Sequence, residues 1–166
     1  MPSGPSEQLK LVALDHDDLK IISANLQDAI LQLSDMAYIP SENRFAAIAS
    51  RFDWLSAEAG GGMQSNLRRC KCAVRFDRVR RAQVHKIRPG ESSAVVELLA
   101  VTYEESDAPS GFITLHFAGG GAIRLEVECI EAELRDLGAA WRTAVKPEHS
   151  AIGPENAAAR TLQGLK

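Results

Sequence analysis

Between Phe112 and Val127 two short runs alternate apolar and polar residues on either side of Gly119-Gly120-Gly121. Ile113, Leu115 and Phe117 interleave with Thr114 and His116; Ile123, Leu125 and Val127 interleave with Arg124 and Glu126. A period of two puts each set on one face of a strand. Glycine adopts the positive φ that a tight hairpin loop requires. This hairpin constrains the fold more than any other feature. An isolated two-stranded hairpin is barely stable in water, so the rest of the chain must supply more strands and cover one face.

Further strands are legible on both sides. Residues 68–76 alternate well: Cys70, Cys72, Val74 and Phe76 point one way, and Arg69, Lys71, Ala73 and Arg75 the other. Residues 9–14, 36–39, 44–54 and 78–87 also read as strands, with Ala46, Ile48, Phe52 and Trp54 expected on one face of 44–54. Residues 94–103 are apolar on both faces, which fits a strand covered on both sides. Turns are expected at 41–43, at Pro89-Gly90 and at 104–110, and a glycine-rich loop at 55–66.

Two segments read as helices. Asp15 is an N-cap with Asp17 and Asp18 in the first turn, where carboxylates suit the positive end of the helix dipole. Leu19, Ile22, Leu26, Ala29, Ile30 and Leu33 then recur at helical spacing, which predicts a helix over 16–33. After Val127, Ile130, Leu134, Leu137 and Trp141 predict a second helix over 128–138, with Gly138 near its end. The expected class is α+β: a seven-stranded antiparallel meander or partly closed barrel, with an N-terminal helix and a C-terminal capping helix. That order resembles the pleckstrin-homology-like barrel, whose last helix plugs one open end. A likeness of element order carries no function.

At 166 residues the chain suits one domain with a core large enough to need no staple. That domain is expected over 9–142, between a flexible N-terminus at 1–8 and a polar tail at 143–166, partly disordered or a short docked helix from Pro154. Three cysteines, an odd number, argue against a disulfide framework. The start of the sequence has no signal-peptide pattern, and no apolar run approaches the roughly 20 residues that span a bilayer. The expectation is a cytoplasmic protein with free thiols.

Charge is the least even property. From Arg68 to Arg88 there are nine Lys or Arg and one acid, Asp77, whereas the whole chain carries −3. On a strand, Arg69, Lys71 and Arg75 share a face, with residues two apart separated by roughly 6–7 Å. With Arg78 and His85 they form a candidate surface for nucleic acid or another phosphate-bearing polyanion. The segment lacks aromatic platforms for base stacking. The alternative is that these cations pair with acidic strands such as Arg124–Glu128.

No other motif carries a reaction. Cys70-Lys71-Cys72 lacks the second ligand pair of a metal site and falls on the apolar face. Cys129 stands among Glu126, Glu128 and Glu131, which would raise a thiol pKa. His85 and His116 are single histidines that would act as bases only if they converged with Cys129 in a pocket. Neither glycine triplet ends in the Lys-Ser/Thr of a phosphate loop. No catalytic, metal-binding or cofactor residue is assigned, and no cofactor is expected. The sequence reads as a non-enzymatic binding or protein-interaction module, with a protein partner or a second copy of itself as occupant. Polyanion binding through 68–88 is the alternative.

Three strings carry a family resemblance: Leu9-Lys-Leu-Val-Ala-Leu-Asp15, Phe76-Asp77-Arg78-Val79, and Phe117-Ala-Gly-Gly-Gly-Ala-Ile-Arg-Leu-Glu-Val-Glu-Cys-Ile-Glu-Ala132. From Leu9 to about His149 the chain resembles the alphaproteobacterial domain of unknown function 2948. The resemblance implies a bacterial, cytoplasmic, single-domain protein and brings no activity or site residue with it.

Overall fold

A computed structural model of the chain describes residues 8–54, 68–87 and 94–138, and the backbone of Trp141–Arg142. In chain order the elements are β1 (Lys10–Ala13), α1 (His16–Leu26), β2 (Ala29–Gln32), β3 (Met36–Ile39), β4 (Arg44–Phe52), β5 (Arg68–Phe76), β6 (Val79–His85), β7 (Val95–Glu105), β8 (Gly111–Phe117), β9 (Ala122–Val127), β10 (Ala132–Asp136) and β11 (Trp141–Arg142). The described residues are mostly antiparallel sheet with one α-helix. The sheet is an open path, β1-β10-β5-β4-β2-β7-β8-β9-β6, with β3 added on β4 and β11 on β5.

The glycine hairpin forms as expected. Gly119 and Gly120 sit at φ 88 and 91, and β8 pairs with β9 from Gly111↔Val127 to His116↔Ala122. Ile113, Leu115, Ile123, Leu125 and Val127 are buried beneath it. Cys72, Val74 and Phe76 of β5 enter the same core, joined by Phe45, Ala47 and Ala49 of β4. Helix α1 closes over this surface with Leu19, Ile22 and Leu26 buried. Asp15 accepts a hydrogen bond from Asp18 N–H, the expected cap, and Ser23 Oγ accepts one from Val101 N–H of β7 at 2.9 Å. Burying each such apolar side chain is worth roughly 1.5–3 kcal/mol.

Four expectations need correction. Helix α1 stops at Leu26 rather than Leu33, because Asp28 takes a left-handed backbone (φ 63) and the chain leaves the helix there. Ala29 and Leu31 then bury as β2 while Ile30 and Gln32 face out, a period of two hidden inside an apolar run that also fits a helix. The helix expected over 128–138 is absent; Ala132–Asp136 is strand β10, held between β1 and β5. Its inward residues are Ala132, Leu134 and Asp136, and an inward aspartate masks the alternation. Among the described residues the sheet therefore has eleven strands rather than seven, and the element order behind the pleckstrin-homology likeness is not the order found. On β4 the buried face carries Phe45, Ala47 and Ala49; Ile48, expected inward, is 39% exposed.

Residues 55–66, the Pro89-Gly90 turn, residues 1–7 and the tail at 143–166 lie outside the described residues.

Candidate functional site

The basic strip is continuous in sequence but divided in space. Asp77 and Arg78 carry the chain from β5 directly into β6, yet these two strands stand far apart along the sheet path. Arg69 is half-buried and donates to the Ser50 carbonyl at 3.0 Å, with its guanidinium 6.0 Å from the Phe52 ring centre. Arg75 pairs with Asp77 at 3.0 Å and Glu133 at 2.8 Å; Arg78 pairs with Glu131 at 3.1 Å. Asp77 also binds Arg44 at 2.8 Å, and Glu133 also binds Arg135 at 3.1 Å. Arg75 and Arg78 are thus met by Asp77 and by acids of β10 and its approach. Lys71 faces outward beside a cleft of about 220 Å³ between β2 and β4. His85 lies apart from all of these, at the end of β6.

The outer face of β6, β9 and β8 has a different character. Register sets three rows across it: His85–Ala122–His116, Gln83–Arg124–Thr114 and Arg81–Glu126–Phe112. Directly opposed residues of antiparallel strands share a face. Ala122, small and central, leaves space between the two histidines. A hollow of about 400 Å³ opens there, lined by Gln83, Val84, His85, Thr114, Ala122 and Arg124. Arg124 lies over the Phe112 ring, 3.7 Å from its centre. That stacking occupies the flat face of the guanidinium and leaves its N–H edges for acceptors. Among the described residues Arg124 has no ion pair. The lining has no carboxylate, whereas the other three hollows described include Asp35, Glu133, or Glu42 with Asp77 and Glu131. Sequence reasoning found His85 but missed Gln83, Thr114 and Arg124, because only register across three strands brings them together.

His116 shares a 2.7 Å hydrogen bond with Thr102 Oγ1. It stands beside Ala122 at one end of β9, while Cys129 lies beyond Val127 at the other, about 20 Å away at strand spacing. Cys129 and the two histidines do not converge.

The family model described as a protein of unknown function (DUF2948) matches residues 9–149. The chain belongs to this family. Comparison with the curated proteins found no match, and comparison with the solved structures found none.

The DUF2948 chain also buries two ionic groups. Arg51 and Asp136, each about 95% or more buried at the side chain, make a two-pronged pair at 2.8 and 2.7 Å. Asp136 also accepts from Leu9 N–H at 2.8 Å, tying β4, β10 and the start of β1 together. Burial alone would raise the Asp136 pKa, but the Arg51 and Leu9 hydrogen bonds hold it below the usual value. Beside this pair, burial pushes the Cys70 thiol up to about 11 and the Cys72 thiol up to about 12. Both are inert as nucleophiles near neutral pH. Among the described residues no three His, Cys, Asp or Glu gather as a metal site.

The second group joins Asp28, Glu97 and Arg69. Asp28 is fully buried and Glu97 is 8% exposed. Burial raises the Glu97 pKa to about 7, reinforced by its hydrogen bond to Asp28 and the charge there; Arg69 pulls the other way. A negative charge beside a buried carboxyl favours its protonated form. In the DUF2948 sequence Glu97 does leave a signal: a lone acid inside the apolar run Val95–Leu99.

Proposed function

We propose that this chain is a non-enzymatic binding protein of the bacterial cytoplasm. In this reading it takes an anionic ligand, bearing phosphate or carboxylate, in the hollow on the outer face of β6, β9 and β8. The observation that carries the reading is the lining: an arginine edge, an amide, an imidazole and a hydroxyl converge with no carboxylate among them. Arg124 binds such an oxyanion through two parallel N–H bonds. Gln83 and Thr114 add neutral hydrogen bonds, and His85 adds charge when protonated. The basic strip contributes through its β6 end, since Arg69 and Arg75 of β5 are engaged with Ser50, Asp77 and Glu133. The cytoplasmic bacterial setting rests on the family resemblance and on the three free thiols. A single domain over 9–142 is supported by the one large core cluster of the described residues.

Titration of the ¹⁵N-labelled protein with inorganic pyrophosphate tests this. Amide shifts are expected at Gln83, His85 and Arg124, and affinity should weaken as salt rises. Arg124→Gln should weaken binding by roughly tenfold, the worth of one charge-assisted bond. No binding at millimolar pyrophosphate in low salt, or binding indifferent to Arg124→Gln, would overturn the reading.

A further inference from the structure

The other half of the sheet, from β1 through β10, β5 and β4 to β2 and β3, has one covered face and one bare face. Leu19, Ile22 and Leu26 of α1 join Val74 and Phe76 in the core on the covered side. Register sets three rows across the bare side: Val12–Glu133–Arg75–Ala46–Ala37, Lys10–Arg135–Ala73–Ile48 and Leu137–Lys71–Ser50–Ile30. Leu137 carries the β10 ladder one residue further, its N–H donating to Lys71 O at 2.8 Å. Val12, Ile30, Ile48 and Leu137 are four of the seven large apolar side chains exposed among the described residues. Single exposed apolar residues are ordinary, but a set gathered on one face marks an interaction surface.

This face is grooved and basic. Ala46 and Ala73 are small, and a hollow of about 380 Å³ opens over them between Ile39 and Leu137. The cleft of about 220 Å³ beside Lys71 adjoins it, walled by Ile30 and Ile48. From β10 to β2 is three strand spacings, about 14 Å, which admits one helix of about 10–12 Å diameter. Four cations, Lys10, Lys71, Arg75 and Arg135, stand on the rows against one acid, Glu133, with Asp35 at the border of the smaller cleft. Arg75 and Arg135 both bond Glu133. Lys10 and Lys71 are exposed and have no ion pair among the described residues. A second copy laid on this face would set lysine and arginine against their like, whereas an acidic partner would complement them.

We propose that the bare face of β10, β5, β4 and β2 docks an acidic amphipathic helix of a partner protein. The helix lays its apolar stripe over Ala46, Ala73 and Ile48. Residues i, i+3, i+4 and i+7 of such a stripe span about 10.5 Å and reach both hollows. Carboxylates on its two flanks meet Lys10 on one side and Lys71 on the other. Apolar contact supplies affinity, and the two lysines select the sign of the partner. A membrane surface fits less well, because the small residues of the floor are recessed between longer side chains and a convex helix reaches them where a flat bilayer does not. This docking face is separate from the hollow on β6, β9 and β8, and either site stands without the other.

The test uses a capped helical peptide of leucine and glutamate, about 18 residues or five turns long, its leucine–lysine counterpart, and anionic phospholipid vesicles. Amide ¹⁵N shifts of the full chain are read at Ile30, Ile48, Lys71 and Ala73. The glutamate peptide should move these amides in low salt and lose affinity as salt rises, and the lysine peptide should not bind. Ile48→Asp should weaken binding roughly tenfold by removing an apolar contact. Lys71→Glu, on an exposed side chain that leaves the core untouched, should weaken it roughly fivefold. Equal binding of the two peptides, or shifts confined to other strands, overturns the inference. Vesicle binding in place of the glutamate peptide overturns it in favour of a membrane. A free protein that sediments as a dimer, and as a monomer with Ile48→Asp, assigns the face to a second copy and overturns it too. So does shielding of the Ile30 and Ile48 methyl groups from a soluble paramagnetic agent in the free protein, because the chain then covers its own face.

Discussion

Replacing Glu97 with glutamine removes the titrating member of the buried acid pair and keeps its shape. In the folded protein the Glu97 pKa is raised to about 7 from 4.5. A raised acid pKa means the folded state holds a proton that the unfolded state releases. The proton favours folding below about pH 4.5, and this contribution is lost as pH climbs toward 7. Each pKa unit is worth about 1.4 kcal/mol, so the loss across the window is about 3 kcal/mol. Glutamine does not titrate, and its amide can still donate to Asp28. Urea denaturation followed by circular dichroism, at about pH 5 and about pH 8, gives the comparison. Wild type should lose about 2 to 3 kcal/mol more than Glu97→Gln between the two, and the variant should be the more stable at the higher pH. The histidines and surface carboxylates are common to both proteins and cancel in the difference. Parallel pH dependences for the two proteins would refute the raised pKa of Glu97.

Two more outcomes follow from the buried groups. Asp136→Ala leaves Arg51 charged and 5% exposed without its partner, and should cost about 3–5 kcal/mol in urea denaturation; Arg51→Met with Asp136→Leu should recover most of that loss. Of the three thiols, Cys70 and Cys72 are buried and Cys129 is half-buried. A thiol-exchange reagent near pH 8 should therefore modify Cys129 alone in the folded protein and all three in denaturant.

How far the sequence could be read depended on whether local pattern and long-range partner agreed. On β5, β8 and β9 the inward positions are all apolar, the alternation is unmixed, and the faces came out as expected. On β4 both faces carry apolar residues, so period alone could not choose between Phe45-Ala47-Ala49 and Ala46-Ile48. Residues 128–138 misled more seriously. Glu131-Ala132-Glu133-Leu134-Arg135 is made of good helix formers, and Ile130, Leu134 and Leu137 match a helical face. Tertiary pairing overrode that preference: β10 lies between two strands, and Arg51, 85 residues away in sequence, satisfies the inward Asp136. The candidate hollow was invisible for a related reason. Gln83, Thr114 and Arg124 lie on three strands, and no spacing within the chain announces their row.

By itself the sequence determined the kind of surface each strand presents. A period of two, a triple-glycine turn and an Asp15 cap act within a few residues, where backbone sterics and local hydrogen bonds decide the outcome. It also fixed the total charge and placed an excess of cations between Arg68 and Arg88. Tertiary structure alone decided where those cations went. The chain crosses from β5 to β6 through Asp77 and Arg78 and divides one basic run between two regions of the sheet. One part is met by Asp77, Glu131 and Glu133. The other runs along β6, beside Arg124 on β9. That division is set by strand order, which depends on which buried faces fit together across the whole molecule, and no local rule contains that information.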